Sequence, residues 1–242
     1  MLIPIYPWSL KHITFAVWLL ASVSNAAIPG LILPLYDVEV GTASAGIVAA
    51  VLVKEGDTVM EGQPLLRLFD EVEKLDVERA AKVVEKAKFD HDAAQKLLAE
   101  KIGTREDALK KQIEHDLARL QKQAADVRLA QRTICAPIQG IVVKRDKEPG
   151  EAVLLNETVA QIVHIQQVHA QFYLEPDQAR SLKSGDSVGI HLPSLLPPNE
   201  FSGKVDFIDP RMDAESGLYR VKLLLENPDL QLKAGMRAEW LR

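Results

Sequence analysis

Cysteine, aromatic residues and a surplus of basic charge are all scarce in this 242-residue sequence. Cys135 is the single cysteine, so an intramolecular disulfide framework and a multi-thiolate zinc site are both excluded. Its place beside an apolar strand indicates a buried small hydrophobe. The formal net charge of −5 gives no broad basic field for phosphates, which argues against nucleic acid as a partner.

Sequence motifs that carry catalysis are missing as well. There is no Gly-x-Ser-x-Gly elbow and no His-Glu-x-x-His. Asp70, Glu71 and Glu73 are close together, but they fall where a strand ends and a helix begins, and acids there favour the helix N-terminus through its dipole. The histidines of the last third lack the paired spacing of metal ligands: His164, His169 and His191. We therefore expect no enzyme activity, no catalytic or metal site and no cofactor.

The first 26 residues have the layout of an export signal. Lys11 precedes an apolar run over residues 13–23, and Ser24 and Ala26 place small residues at the recognition positions for cleavage. This run is too short for a bilayer core, which needs about 20 residues, so cleavage near Ala26 is predicted. The alternative is an uncleaved anchor, with the run stretched to Ile32.

An internal repeat organises the rest of the chain. Gly46 and Gly56 are ten residues apart, Gly140 and Gly150 have the same separation, and the two pairs are offset by 94 residues. Each pair frames a short β-branched strand and a Gly-acid turn, and an alternating strand follows. We interpret these glycines, together with Gly62, as turn residues with positive φ.

Each copy of the repeat, about 30 residues long, is too small to bury a core alone. The two copies are therefore expected to pair. Residues 38–70 and 134–165 are predicted to form one small flattened barrel or sandwich.

Between the two copies, over residues 71–133, the apolar period changes from two to about three and a half. Gly103 interrupts the run, and Thr104 with Asp107 has the form of a helix N-cap with a capping-box acid. This pattern predicts an antiparallel coiled-coil hairpin with arms of about 45 Å. Its seam is predicted from two stripes: Leu75, Ala80, Val84, Ala87, Ala94, Leu97 and Leu98, and then Leu109, Ile113, Leu117, Leu120, Ala124 and Val127. A projecting rod of this kind suits a spacer or a docking element.

Residues 166–242 carry short alternating strands separated by Gly, Pro and Asn turn signals. This spacing predicts an all-β barrel or sandwich, with Pro176 in the first turn of a short helix. The predicted fold class is α+β and mainly β: a split β domain with an inserted helical hairpin, followed by a β-barrel.

Several segments together resemble one protein family. Residues 46–66, with the turn Lys54-Glu55-Gly56-Asp57, are similar to the first half of the biotinyl/lipoyl-like domain of periplasmic adaptors. These proteins are also called membrane fusion proteins, of the HlyD and resistance-nodulation-division (RND) efflux type. Residues 134–142, with Ala136-Pro137 before Gly140, resemble the entry to its second half. Residues 175–186 and 201–236 resemble the adaptor β-barrel.

The resemblance implies a periplasmic adaptor at the inner membrane that links a transporter of the RND or ABC type to an outer-membrane channel. It implies a homo-oligomer, in which movement of the barrel is transmitted at a linker near residues 165–168. The residues it assigns to partner docking at the hairpin tip are Leu97, Ile102, Gly103 and Thr104. Ala93 stands where the family's tip pattern has an arginine, and the membrane-proximal domain that usually follows the barrel is expected to be absent.

A carrier domain that bears biotin or lipoate is the alternative function. Such a domain needs a lysine at the tip of a tight turn between its two halves. Lys74 is the lysine nearest that place, and it falls within a helical run.

Overall fold

The structure, a computed structural model, describes residues 27–241, in twelve strands and three helices. The strands are β1 Ile28–Gly41, β2 Gly46–Val51, β3 Thr58–Val59, β4 Pro64–Leu68, β5 Thr133–Cys135, β6 Gly140–Arg145, β7 Ala152–Val153, β8 Thr158–Leu174, β9 Ser187–His191, β10 Glu200–Met212, β11 Tyr219–Glu226 and β12 Arg237–Trp240. The helices are α1 Glu71–Ala99, α2 Arg105–Ala130 and α3 Pro176–Arg180. The predicted fold class is confirmed: the chain is mainly β, and a helical hairpin interrupts the strands.

Six strands close into a barrel in the order β1, β12, β9, β10, β11 and β8, and β8 pairs with β1 to complete the circle. Alternate residues of β8 and β11 point inwards, as period-two burial requires. Phe172, Ile190 and Leu223 are fully buried in the resulting core. Closure leaves no open sheet edge between these six strands.

The two copies of the sequence repeat build a second β module with one core. Val48, Val59 and Leu66 from the first copy pack with Val142 and Val153 from the second. One of its layers is the sheet β5-β4-β2-β7. The other layer is formed by the N-terminal half of β8, by β6, which pairs with it, and by β3, which pairs with β6. The predicted pairing of the two distant stretches is therefore confirmed.

Reciprocal hydrogen bonds join the two halves of this module. Gly56 N donates to Val142 O and Gly150 N donates to Val48 O, each at 2.8 Å. A second exchange follows: Gly62 N donates to Ala136 O at 2.8 Å, and Asn156 N donates to Thr42 O at 2.9 Å. Within each exchange, the donor of the first bond lies 94 residues before the donor of the second, and the two acceptors have the same separation. The two halves are therefore related by an approximate twofold axis.

The glycines of the repeat have two different roles. Gly56, Gly62 and Gly150 have φ of 91°, 78° and 91°, as predicted for turns. The turn interpretation of Gly46 and Gly140 is wrong, because both begin strands. Gly140 has no space for a side chain, since a Cβ there would overlap Val163 O, whereas the nearest atom to a Cβ at Gly46 is the side-chain end Nη1 of Arg132 at 2.9 Å.

Two strands run without a break through both β modules. The β1–β8 ladder extends from Gly30 opposite Phe172 to Gly41 opposite Thr158, with an irregularity between Pro34 and Tyr36. The predicted linker at residues 165–168 is therefore wrong: these residues lie inside β8, where Ile165 and Val168 are buried. Because β1 and β8 belong to both modules, no strand ends where the barrel begins.

The first half of β1 was not predicted as a strand. Ile32 lies in the barrel core, so residues 28–32, to which the anchor interpretation extended the apolar run, belong to strand β1. The signal prediction itself rests on residues 1–26, which lie outside the described residues. Within residues 27–241, no helix is both long enough and apolar enough to span a bilayer.

Candidate functional site

The helical hairpin projects from the β structure as a rod. At 1.5 Å per residue, α1 and α2 are about 43 and 39 Å long. Among the described elements, each helix packs extensively only against the other. The base of the rod is a strand pair, because α1 follows β4, α2 precedes β5, and β4 pairs with β5. Most of the rod is therefore available to partners.

The seam between the two helices is lined with small residues. Its least exposed members are Ala94 on α1 and Ala108, Ala118 and Ala125 on α2. Along each helix the less exposed positions recur at spacings of three and four, as in a coiled coil. On α1 they are Glu73, Val77, Ala80, Val84, Ala87, His91, Ala94 and Leu98, and on α2 they are Ala108, Lys111, His115, Ala118, Lys122, Ala125 and Leu129.

The predicted seam stripe of α2 is wrong. Its large residues point away from α1 and are between 50% and 62% exposed: Leu109, Ile113, Leu117, Leu120 and Val127. We call these five residues the outer ridge. Both faces of α2 carry a coiled-coil spacing, and the chain buries the alanine face, which allows the two backbones to approach closely. On α1 the stripe was largely right, except that Leu75 and Leu97 are exposed.

A groove runs along one side of the seam, next to the outer ridge. It consists of two adjoining cavities of about 320 and 270 Å³ that share Val83 and Gln121. Alanines line it from both helices, namely Ala80, Ala87, Ala118, Ala124 and Ala125. The hairpin thus presents a row of large apolar side chains beside a row of small ones.

A tight turn places the predicted tip residues together. Lys101 has φ of 59° after the end of α1, with its N–H donating to Leu98 O at 3.0 Å and Ile102 N–H donating to Leu97 O at 3.0 Å. These two bonds form a Schellman motif. Gly103 N–H also donates to Leu97 O, and a Cβ on Gly103 would lie 3.1 Å from Leu98 N, so the approach needs a glycine.

The predicted cap of α2 is present at this turn. Oγ1 of Thr104 accepts a hydrogen bond from Asp107 N at 3.1 Å. Ile102 is 73% exposed and Leu97 is 44% exposed, so two apolar side chains protrude from a conformation that is otherwise satisfied by hydrogen bonds. Partner docking by these residues stays a prediction.

Arg132 fixes the other end of the rod. Its Nη1 donates to Ala45 O at 2.8 Å, and its Nη2 is paired with Glu73 Oε1 across the base of the two helices. The hydrogen bond from Arg132 is the main reason that the pKa of Glu73 is lowered. The cation therefore ties α1, the end of α2 and the loop before β2 to one another.

Asn227 holds the junction between the two β modules. It is 3% exposed, and its Nδ2 donates to Ile165 O at 2.7 Å and to Leu232 O at 2.9 Å. Its Oδ1 accepts from Leu232 N at 2.9 Å, and its backbone N–H donates to Gln166 O. The middle of β8 is thus clamped where a flexible linker was expected.

The residues weighed for chemistry in the sequence have structural partners. His164, His169 and His191 bond to Gln139 O, Asp206 and Glu239 respectively. Lys74 lies within α1 and pairs with Asp70 at 2.8 Å. Cys135 is only partly buried, because it lies in β5 at the edge of the four-stranded sheet. Over residues 27–241, no group of three or more His, Cys, Asp or Glu could hold a metal ion.

Sequence reasoning missed two features of this site. The outer ridge was named but assigned to the wrong surface. The stacked pair of His91 and His115 was not noticed at all, although both residues occupy seam positions of their helices. Aligning the two helices in antiparallel heptads would have placed the two histidines opposite each other.

Comparison with known proteins gives the same arrangement of modules. Residues 167–240 match the family model of the CusB-like β-barrel domain. The nodulation protein NolF of Rhizobium meliloti is 27% identical over 124 residues, which is 49% of this chain and 34% of that protein. The cobalt-zinc-cadmium resistance protein CzcB of Cupriavidus metallidurans is 22% identical over 207 residues, which is 79% of this chain and 39% of that protein. The chain therefore spans well under half the length of these relatives.

Among solved structures, the fold resembles a MacA–MexA chimeric protein that contains the α-hairpin domain of Pseudomonas aeruginosa MexA. The TM-score is 0.77 at 19% sequence identity, over 88% of this chain and 76% of the other. The order of modules, the barrel match and the shared fold agree with the resemblance of this chain to membrane fusion, or periplasmic adaptor, proteins.

Proposed function

We propose that the protein is a non-enzymatic periplasmic adaptor that links an inner-membrane transporter of the RND or ABC type to an outer-membrane channel. The observation that carries this function is a rod about 40 Å long that projects from two fused β modules and ends in exposed apolar side chains. Its relative CzcB is named for cobalt, zinc and cadmium resistance, and the solved neighbour contains the α-hairpin domain of MexA. The cargo of this chain is not fixed by either.

The partner at the rod's far end is expected to meet the tip residues Leu97, Ile102, Gly103 and Thr104. An apolar pair on a rigid turn suits a partner groove, since little side-chain or backbone entropy is lost on docking. The missing arginine at Ala93 is replaced by no other guanidinium on the same turn of α1. Apolar contact with Leu97 and Ile102 therefore carries the docking in this protein.

A cross-link from the tip tests this function. A photo-reactive amino acid at position 97, introduced into the full chain in its native envelope, is expected to capture an outer-membrane channel. Adding Ile102→Glu and Thr104→Asp should reduce the capture at least about tenfold, because two carboxylates would have to be desolvated at the contact. Aspartate keeps the cap of α2, so the fold is retained.

Leu154→Glu serves as the matched control. Leu154 is 70% exposed, about as much as Ile102, but it lies on a turn of the split β module. Capture should be unchanged in this variant. Capture of no envelope protein by the parent chain, or equal capture by the tip variant, would contradict docking at the tip.

Self-association is the second part of the proposal. A projecting row of large apolar residues is complementary in size to the alanines of the groove, so the outer ridge of one copy fits the groove of the next. The groove is also lined by charged residues, namely Asp76, Arg79, Lys86, Asp90, Glu114 and Arg128. Contact between two different surfaces of the same chain is heterologous and closes into a ring when the rotation allows it. The rods would then stand side by side.

Charging the outer ridge is expected to break this association. Ile113→Lys with Leu117→Lys should weaken it at least about tenfold, because two ammonium groups would enter an apolar contact. Sedimentation equilibrium of the purified full chain measures the change. The control is Gln112→Lys with Gln123→Lys, which adds the same charge on exposed polar positions of α2. Equal association of all three proteins would show that the outer ridge is not the contact.

The carrier-domain alternative requires a modified lysine on an exposed turn. Lys74 lies four residues inside α1 and is paired with Asp70, so no ligase-accessible turn exists at that place. Mass spectrometry of the protein from its native source would reveal biotin or lipoate on Lys74 if this alternative held.

A further inference from the structure

His91 and His115 face each other across the middle of the hairpin seam. Their rings are stacked, with centroids 5.6 Å apart and planes inclined by 16°. Three of the four neighbouring seam positions are small, namely Ala87 and Ala94 on α1 and Ala118 on α2, and the fourth is Lys111. The two imidazole rings therefore make much of the side-chain contact between α1 and α2 in this part of the seam.

The hydrogen bonds of His91 are those of a neutral ring. Its Nδ1 lies 3.2 Å from Asp92 Oδ1, and because a carboxylate can only accept, Nδ1 donates. Its Nε2 lies 3.4 Å from Gln95 Nε2, and because an amide nitrogen can only donate, Nε2 accepts. A second proton on His91 would require the exposed Gln95 amide to turn its oxygen towards the ring.

The charges around the pair leave little to neutralise a second cation. The charged groups around the pair include Lys86, Asp90 and Asp92 on α1 and Lys111, Glu114, Asp116 and Lys122 on α2. Lys111 is paired with Glu114 at 2.8 Å, and Lys122 is paired with Asp126 at 2.7 Å. Among the described residues, the acid that contacts either ring is Asp92, which contacts His91. Asp92 can neutralise a charge on His91, but no acid of the described residues contacts His115, so a second charge in the stack would stay unpaired.

We propose that the stacked pair of His91 and His115 is a proton-sensitive latch of the helical hairpin, closed when the rings are neutral and open when both are charged. Opening separates the helices near the pair and loosens the outer half of the rod, from Ala87 through the tip to Ala118. The latch concerns the hairpin itself and operates whichever partner the tip meets.

The direction of the pH effect follows from the charge repulsion. Two positive charges on the stacked rings would repel each other in the closed hairpin, and this repulsion is relieved when the helices separate. The hairpin is therefore expected to be less stable at about pH 5 than at about pH 7.5.

Hydrogen exchange of the full chain tests the latch at about pH 7.5 and about pH 5, with rates corrected for intrinsic exchange. Amides of residues 87–118 should lose at least about tenfold in protection at the lower pH, relative to β8 as an internal reference. In His115→Gln most of this loss should disappear, because glutamine fills similar space and cannot be charged. His169→Gln, which removes a histidine in the barrel, is the control and should behave as the parent does.

The ratio of protection at the two pH values is compared within each variant, so a variant with a weaker hairpin at neutral pH is still informative. Unchanged protection of the parent chain at low pH overturns the proposal. An equal loss in the parent, His91→Gln and His115→Gln also overturns it, since acidic residues would then be responsible.

Discussion

Gly140→Ala is expected to destabilise the protein by about 3 kcal/mol, because the added methyl group has no space in the core. A Cβ at this position would overlap Val163 O and lie 2.8 Å from Cγ2 of Ile162. The obstacle at Val163 is backbone of the long strand β8, which cannot move without breaking its ladders to β1 and β6. Urea denaturation followed by far-UV circular dichroism measures the loss.

Gly150→Ala is the control for this prediction. Gly150 is the repeat partner of Gly56, has φ of 91°, and has nothing within 4 Å of an added Cβ. Alanine there is strained by its backbone alone, at a cost of about 1–2 kcal/mol. If Gly140→Ala lowers the free energy of unfolding by no more than Gly150→Ala does, β8 must shift enough to accommodate the added methyl group.

Asn227→Ala is expected to cost about 3 kcal/mol as well, through a different mechanism. The substitution removes two donors and one acceptor from a buried site. Ile165 O, Leu232 O and Leu232 N would then be left without their partner, and no solvent reaches them at a residue that is 3% exposed.

The position of Asn227 makes the effect local as well as global. Amides in the middle of β8 should exchange faster in Asn227→Ala than in the parent chain, because the clamp on Ile165 and Gln166 is lost. Gln167→Ala is the control. Its side chain bonds to Glu226 at the surface, so stability should change by less than about 0.5 kcal/mol. Similar losses in both variants would argue against the clamp.

The fold was largely predictable because the repeat is strong in the sequence. Two glycine pairs at the same spacing, in each of which the second glycine is followed by an acid and an alternating strand, predict two similar halves that pair. The helical insertion was equally clear from its period. Asn156 escaped notice because it fills the repeat position of Gly62 with φ of 62°, a conformation that asparagine tolerates better than most residues.

The start of β1 was missed for the opposite reason. Pro29, Gly30 and Pro34 interrupt residues 28–34, and such residues normally indicate a loop. In the structure Gly30 lies against Phe172, where a Cβ would overlap the ring, and Pro34 lies at the irregularity of the ladder. The strand accommodates Gly30 and Pro34 through contacts with β8, and these contacts cannot be inferred from the sequence of β1 alone.

The surface of the candidate site was the least predictable part. Both faces of α2 carry apolar residues at coiled-coil spacing, so periodicity could not decide which face would be buried. The decision depends on contacts outside the helical pattern, namely the tip turn onto Leu97 and the tie of Arg132 to Ala45, 87 residues away in sequence. Size would have favoured burying the leucines, and the structure buries the alanines instead.

The unbroken pair β1 and β8 has a mechanical consequence. Hydrogen bonds between antiparallel strands lie across the strand direction, so a pull along the strands loads many bonds simultaneously, in shear. Stretching between the barrel and the base of the rod therefore meets high resistance. Bending meets less at the irregularity between Pro34 and Tyr36, where the ladder skips a residue. A force along the strands would be transmitted from the barrel to the rod, whereas a lateral force would bend the pair at the irregularity between Pro34 and Tyr36.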